Sequence, residues 1–142
     1  MMAGITGKNT KPEILVRKIL HRMGYRFRLH KKDLPGKPDI VLARHRVVIF
    51  VQGCFWHGHE NCSLFRLPKT RTEFWEAKIA GNKARDKKVL VELSLQGYRV
   101  AEVWECALKG KSALDINQIE HEMRQFISHS DDIYCEIRGR QE

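Results

Sequence analysis

Apolar side chains recur at Leu15, Val16, Ile19, Leu20 and Met23, which is the spacing of one helix face. Thr10-Lys11-Pro12-Glu13 reads as a capping box that opens this helix, and Gly24 closes it. Tyr25, Phe27 and Leu29 then alternate with Arg26, Arg28 and His30, the pattern of a half-buried strand. Leu34-Pro35-Gly36-Lys37-Pro38 is a turn, and a second strand starts at Asp39-Ile40-Val41-Leu42. Residues 46–52 read as a third, buried strand, reached through a tight connection over Ala43 to His45. From Gly53 to Pro68 the periodicity disappears, leaving Gly, Cys, His and aromatic residues. A helix is expected from Thr72 to about Gln96, interrupted near Gly81 and ended by Gly97. Tyr98 to Trp104 reads as a fourth strand, and Ile116, Ile119, Met123, Phe126 and Ile127 place a last helix at about 113–129. The tail, residues 131–142, has no assignable pattern. The expectation is one α/β domain over residues 1–142, a mixed sheet flanked by helices.

The 142 residues suit a single domain, and 42% hydrophobic against 30% charged residues argues against a disordered chain. The longest apolar run, Val47 to Val51, is too short to span a bilayer. Met1 to Lys11 lacks the features of a signal peptide, so a soluble cytoplasmic protein is expected. Charge adds more. Lys and Arg number 26 against 17 Asp and Glu, for a net +9. Residues 1–46 carry 12 basic and 3 acidic side chains, while the remainder carries 14 of each. A surplus confined to one third of the chain suits a polyanion such as nucleic acid.

Cys54-x4-His59-x2-Cys62 offers two thiolates and an imidazole within nine positions, and Cys106 follows the fourth strand. Intracellular chains have little use for disulfides, so clustered Cys and His point first to metal. A closed Cys3His set suits structural Zn²⁺ and would pin a loop that builds no core of its own. On spacing alone His57 competes with His59 for the fourth position. Free thiols are the plain alternative, and Cys135 has no partner in the pattern.

Pro38-Asp39 stands where a turn enters a strand, a place from which a carboxylate can hold Mg²⁺ against a phosphate. Asp after Pro is equally ordinary turn chemistry, and Glu13 has a plain reading as the capping-box acid. His57 is a candidate general base because imidazole titrates near neutrality. These residues reach as far as metal-dependent phosphodiester chemistry.

Several stretches stand out together: Leu34-Pro35-Gly36-Lys37-Pro38-Asp39, Val48-Ile49-Phe50 and Gly53-Cys54-Phe55-Trp56-His57. They continue through Pro68-x-Thr70-Arg71-Thr72-Glu73-Phe74-Trp75-x-x-Lys78-Ile79 and Asn82-x-x-Arg85-Asp86. They end with Gly97-x-Arg99-Val100 and Val103-Trp104-Glu105-Cys106-Ala107-Leu108. Together these stretches resemble the very-short-patch repair (Vsr) endonuclease family, and the resemblance covers roughly residues 2–127. It implies a PD-(D/E)XK, restriction-endonuclease-like fold and nicking of one DNA strand beside a T·G mismatch, the product of 5-methylcytosine deamination.

Carried over by position, the resemblance makes Asp39 and the main-chain carbonyl of Val51 the protein ligands of catalytic Mg²⁺. His57 becomes the general acid/base, and Glu13 supports the water around the metal. Cys54, His59, Cys62 and Cys106 become the Zn²⁺ ligands. Phe55, Trp56 and Trp75 match aromatics wedged into the duplex, and Met2 matches a methionine entering from the far side. Trp75 and Phe74 have a plainer reading as helix-to-sheet core. The implied partner is mismatched double-stranded DNA, with mismatch-repair proteins as further contacts and the chain acting as a monomer.

Two departures stand out. Gln52 occupies the position of a second active-site histidine, and an amide holds no proton at neutral pH. Glu60-Asn61 lengthens the stretch between His59 and Cys62 by one residue. Two other readings follow from them: a zinc-stapled mismatch-binding module disabled at Gln52, and a nuclease of the same fold with another specificity.

Overall fold

The computed structural model describes residues 9–141. Of residues 1–10 only Asn9 and Thr10 are among them, so the expected placement of Met2 lies outside the described residues. Helix α1 spans Lys11–Arg22, with the Thr10 hydroxyl accepting from the Glu13 amide at 3.3 Å and Pro12 in the first turn. Only half of the expected capping box forms. The Glu13 carboxylate turns inward and accepts from the Asn9 amide at 3.1 Å instead.

Five strands follow: β1 (Arg28–Leu29), β2 (Ile40–Leu42), β3 (Val47–Gln52), β4 (Arg99–Trp104) and β5 (Tyr134–Ile137). They lie side by side in that order. The β1–β2 and β2–β3 pairs are antiparallel, and the β3–β4 and β4–β5 pairs are parallel. Helices α2 (Thr72–Leu95), α3 (Glu105–Leu108) and α4 (Ile116–Ser128) complete the chain. The sheet is mixed and flanked by helices, as the hydrophobic pattern implied.

Alternation along the strands assigns the two faces. Ile40, Leu42, Val47, Ile49, Ala101, Val103 and Ile137 pack with Val16, Ile19 and Leu20 of α1 and Ile119, Met123 and Phe126 of α4. Val41, Val48 and Val100, one position out of phase, pack with Leu34 and with Leu93 of α2. The result is three layers, with the long helix alone on one side.

The structure revises several boundaries. The first strand shrinks to Arg28–Leu29, although Tyr25 and Phe27 still pack on the core. Residues Ala43–His45 form a single 3₁₀ turn. Helix α2 runs unbroken through Gly81, since its packing outweighs the modest penalty of one glycine. In the tail, β5 adds an edge strand. It turns only Cys135 and Ile137 inward, too short an alternation to separate from a loop. Among the described residues no helix is long and apolar enough to cross a membrane.

Candidate active site and Cys/His cluster

Strand β3 ends at Gln52 beside the carboxyl end of parallel β4, and the antiparallel β2 begins at the same edge. Its Ile40 pairs with Ile49, so Asp39 falls next to the last turn of the β3 ladder. Carboxyl ends of strands are the usual ligand crevice of such sheets. Here a cleft of about 880 Å³ opens there, lined by Glu13, Asp39, Val51, Gln52, His57 and Asp86 among others.

Asp39 Oδ2 accepts from the Val51 amide at 2.7 Å, which locks the carboxylate against the strand. Burial pushes its pKa up to about 7, opposed by that amide bond and reinforced by Glu13. One ligand atom each of Glu13, His30 and Asp39 lies within 4.8 Å of the others. Glu13 is 2% exposed and also accepts from Arg17 Nη2 at 3.1 Å. His30 Nε2 stands 3.0 Å from its Oε1. The half-buried Asp39 carboxylate and the buried Glu13 carboxylate are oxygen donors suited to a hard divalent cation, and His30 beside them donates to Glu13.

Across the cleft, His57 Nδ1 lies 2.7 Å from Asp86 Oδ2. A carboxylate only accepts, so Nδ1 carries the proton and Nε2 is the basic nitrogen. Gln52 lies at the back of the cleft, its Nε2 donating to Glu102 Oε2 at 3.1 Å. The Tyr134 hydroxyl donates to the other oxygen of Glu102 at 2.6 Å, and burial raises the pKa of this carboxyl.

The loop after β3 carries two groups of side chains a few residues apart. Phe55 and Trp56 stand edge to face, 5.1 Å between centroids, and both reach Trp75 of α2 at 5.5 and 5.9 Å. These rings are half-buried against one another, and neighbouring Phe74 is 47% exposed, so none of them fills the sheet core. Asn82 Nδ2 donates to the Trp56 carbonyl at 2.8 Å and ties the loop to α2.

Directly behind, one atom each of Cys54, His59, Cys62 and Cys106 lies within 4.8 Å of the others. His59 Nδ1 is 3.5 Å from Cys54 Sγ and 3.6 Å from Cys106 Sγ. Tetrahedral geometry with ordinary Zn–S and Zn–N bonds requires an N···S separation of about 3.6 Å. Burial raises the pKa of the Cys54 and Cys106 thiols, so a cation bound there would have to displace their protons. The donors therefore fit zinc, and it is His59, not His57, that stands among the sulfurs. The extra residue before Cys62 is absorbed by Asn61, which takes a left-handed φ of 54°.

Of the sequence-expected site residues within 9–141, Glu13, Asp39, Val51, Gln52 and His57 line the cleft, Cys54, His59, Cys62 and Cys106 form the cluster, and Phe55, Trp56 and Trp75 form the aromatic group. Several residues of the site carried no role in the sequence reading: His30, Asp86, Glu102, Tyr134 and Glu136. One signal was available for Asp86. Lys78, Asn82 and Asp86 follow one another at four-residue spacing, and all three line the cleft from one face of α2.

Comparison with known proteins decides the family. The DNA mismatch endonuclease Vsr of Escherichia coli is 41% identical over 126 residues, covering 89% of this chain and 80% of its own. The chain belongs to the Vsr family. The family model, described as DNA mismatch endonuclease Vsr, matches residues 1–63. A nicking enzyme of Xanthomonas oryzae, V.XorIIP, is 52% identical over 115 residues, covering 81% of this chain and 84% of its own. The nicking enzyme V.NmeAIP of Neisseria meningitidis is 48% identical over 112 residues, 79% of each chain. This Vsr protein is accordingly an endonuclease, a hydrolase of phosphodiester bonds. Its fold resembles the catalytic domain of the homing endonuclease I-Bth0305I, at a TM-score of 0.55 and 23% identity, covering 83% of this chain and 94% of that one.

Proposed function

We propose that this protein nicks one strand of double-stranded DNA beside a T·G mismatch, in a Mg²⁺-dependent reaction, as a monomer in the bacterial cytoplasm. The observation that carries the reading is the pairing, across one cleft, of the Asp39 and Glu13 carboxylates with an oriented His57–Asp86 dyad. Asp39 and the Val51 carbonyl are the residues that would hold Mg²⁺. When bound, the ion supplies positive charge against the scissile phosphate.

His57 Nε2 takes the proton of the attacking water, and the imidazolium that forms is stabilised by Asp86. Glu13 is fixed by Asn9, Arg17 and His30, so it can order water at the cleft without swinging away. Gln52, turned by Glu102, contributes position and no proton. Mismatch selectivity falls to Phe55, Trp56 and Trp75. Unstacking a step takes a few kcal/mol and is easiest at a mismatch, so insertion of these rings discriminates by itself. A cluster of Cys54, His59, Cys62 and Cys106 holding Zn²⁺ would keep that loop rigid.

The test is metal dependence on a mismatched duplex, with Asp39→Ala beside the wild-type chain. Cleavage lost in EDTA, restored by Mg²⁺, and absent in an Asp39→Ala protein that still shifts the DNA supports the reading. Binding without cleavage by the wild-type chain at any divalent ion overturns it in favour of a mismatch-binding module.

A further inference from the structure

The last residues of the chain had no pattern in sequence, yet they converge on the Cys/His cluster. We propose that the strap 136–141 is a working part of that centre, with Glu136 setting His59 as a metal-binding nitrogen and Arg138 and Gly139 holding the surrounding loop. Retention of the metal, and with it the placement of the wedge loop, is then governed from the carboxyl end. The inference rests on the cluster being a zinc centre.

Geometry fixes the tautomer. His59 Nδ1 faces the sulfurs, which leaves Nε2, and Nε2 stands 3.2 Å from Glu136 Oε2. Because a carboxylate only accepts, Nε2 carries the hydrogen and Nδ1 presents its lone pair to the thiol side. A carboxylate behind a ligating histidine is the general device for holding the ring and raising its donor strength. Trp104 adds a second restraint, stacking on the imidazole at 3.7 Å between centroids and within 5° of parallel.

The rest of the strap repeats the pattern on other partners. The Gly139 amide donates to Cys106 Sγ at 3.3 Å. A Cβ at this glycine would stand 2.5 Å from the Cys106 carbonyl oxygen, so no larger residue passes here without displacing the strap. Arg138 Nη2 donates to the carbonyls of Glu60 and Asn61, each at 2.9 Å, and Gln141 adds a bond to Asn61 at 3.2 Å. These close the strained turn between His59 and Cys62. The strap is itself anchored, since the Arg140 amide donates to the Ser112 carbonyl at 2.8 Å. Nothing in the proposed cleft chemistry uses any of these residues.

The consequence is mechanical. Phe55, Trp56 and His57 lie between Cys54 and His59, so a His59 that releases the metal frees the loop that carries wedge and base. Full-length protein is isolated, its zinc content measured, and release followed with a chromogenic chelator. Glu136→Gln is expected to release zinc about tenfold faster or more, with Glu136→Asp restoring part of the loss. The visible spectrum of the Co²⁺-loaded protein should shift in Glu136→Gln. In Arg138→Ala release should quicken without that shift, because Arg138 touches carbonyls and not a ligand. Release from both Glu136→Gln and Arg138→Ala within about twofold of a zinc-loaded wild type overturns the role of the strap. A wild-type chain that carries no zinc overturns the metal reading instead, and this inference with it.

Discussion

His57 Nδ1 and Asp86 Oδ2 are 2.7 Å apart, and the pair joins a loop to the middle of the long helix α2. Neither residue alone marks a catalytic site. Together they fix which imidazole nitrogen is free. Asp86→Asn keeps the size of the side chain but allows the other tautomer, so nicking should fall about 10²–10⁴-fold, the range of general acid–base catalysis. The Asp86→Asn, His57→Ala double variant should be hardly slower than His57→Ala, since the two act as a unit. Single-turnover rates on a mismatched duplex check both, and additive losses would separate the residues.

Glu102 yields a pH-dependent prediction. Burial raises its folded-state pKa above the ordinary 4.5, so its contribution to stability is present below pH 4.5 and is lost as pH rises through the folded value. Glu102→Gln removes that loss. The melting temperature of Glu102→Gln relative to wild type should therefore rise as pH increases above 4.5, and level off once the folded carboxyl has ionised. Each kcal/mol corresponds to about 2–4 °C in a chain of this size. Thermal denaturation across this range checks it, and a difference that is flat or declines with pH would contradict it.

Gly58 sits between the proposed base and the His of the Cys/His cluster, at φ +57°. A Cβ there would approach Ile79 Cγ2 to 2.6 Å and Lys83 Cδ to 3.0 Å. Gly58→Ala combines a left-handed backbone with a clash against buried Ile79, and should destabilise by about 1–3 kcal/mol. Chemical denaturation with metal present checks it. An unchanged midpoint would show that the loop has room the structure does not give it.

These cases show what was legible in the chain. Helices α1 and α4 each bury one stripe against a sheet, so their periodicity survives in the sequence. Strands β2 to β4 are buried on both sides and read as apolar runs. Edge strand β5 has only two inward positions. It was invisible for that reason, and with it the partner of His59. Cys54, His59 and Cys62 are close in sequence and announce themselves. Asp39 and His57 are candidates from the chain alone, and the family likeness is what favours these roles over their plainer readings. Asp86, His30 and Glu102 are joined to their partners only by tertiary contacts, 29, 17 and 50 positions away in the chain.

The aromatic trio provides a further check. Trp75→Ala removes a ring that packs on both Phe55 and Trp56, at a point where the sheet core is untouched. Stability should change little, while affinity for a mismatched duplex should drop by about 1–3 kcal/mol, the value of one stacking ring. Affinity for fully paired DNA should be almost unaffected, because charge supplies most of it. Titrations of the two duplexes at one salt concentration measure the difference. Equal losses on both would assign Trp75 to general binding.

Strand-specific cleavage at a mismatch is tested by labelling each strand of a T·G duplex separately. Wild-type protein and Asp39→Ala are incubated with Mg²⁺, beside a fully paired control, and resolved on a denaturing gel. One nick is expected, in the T strand only, absent from the paired duplex and from Asp39→Ala. Cleavage of both strands, or equal cleavage of paired and mismatched DNA, would contradict it.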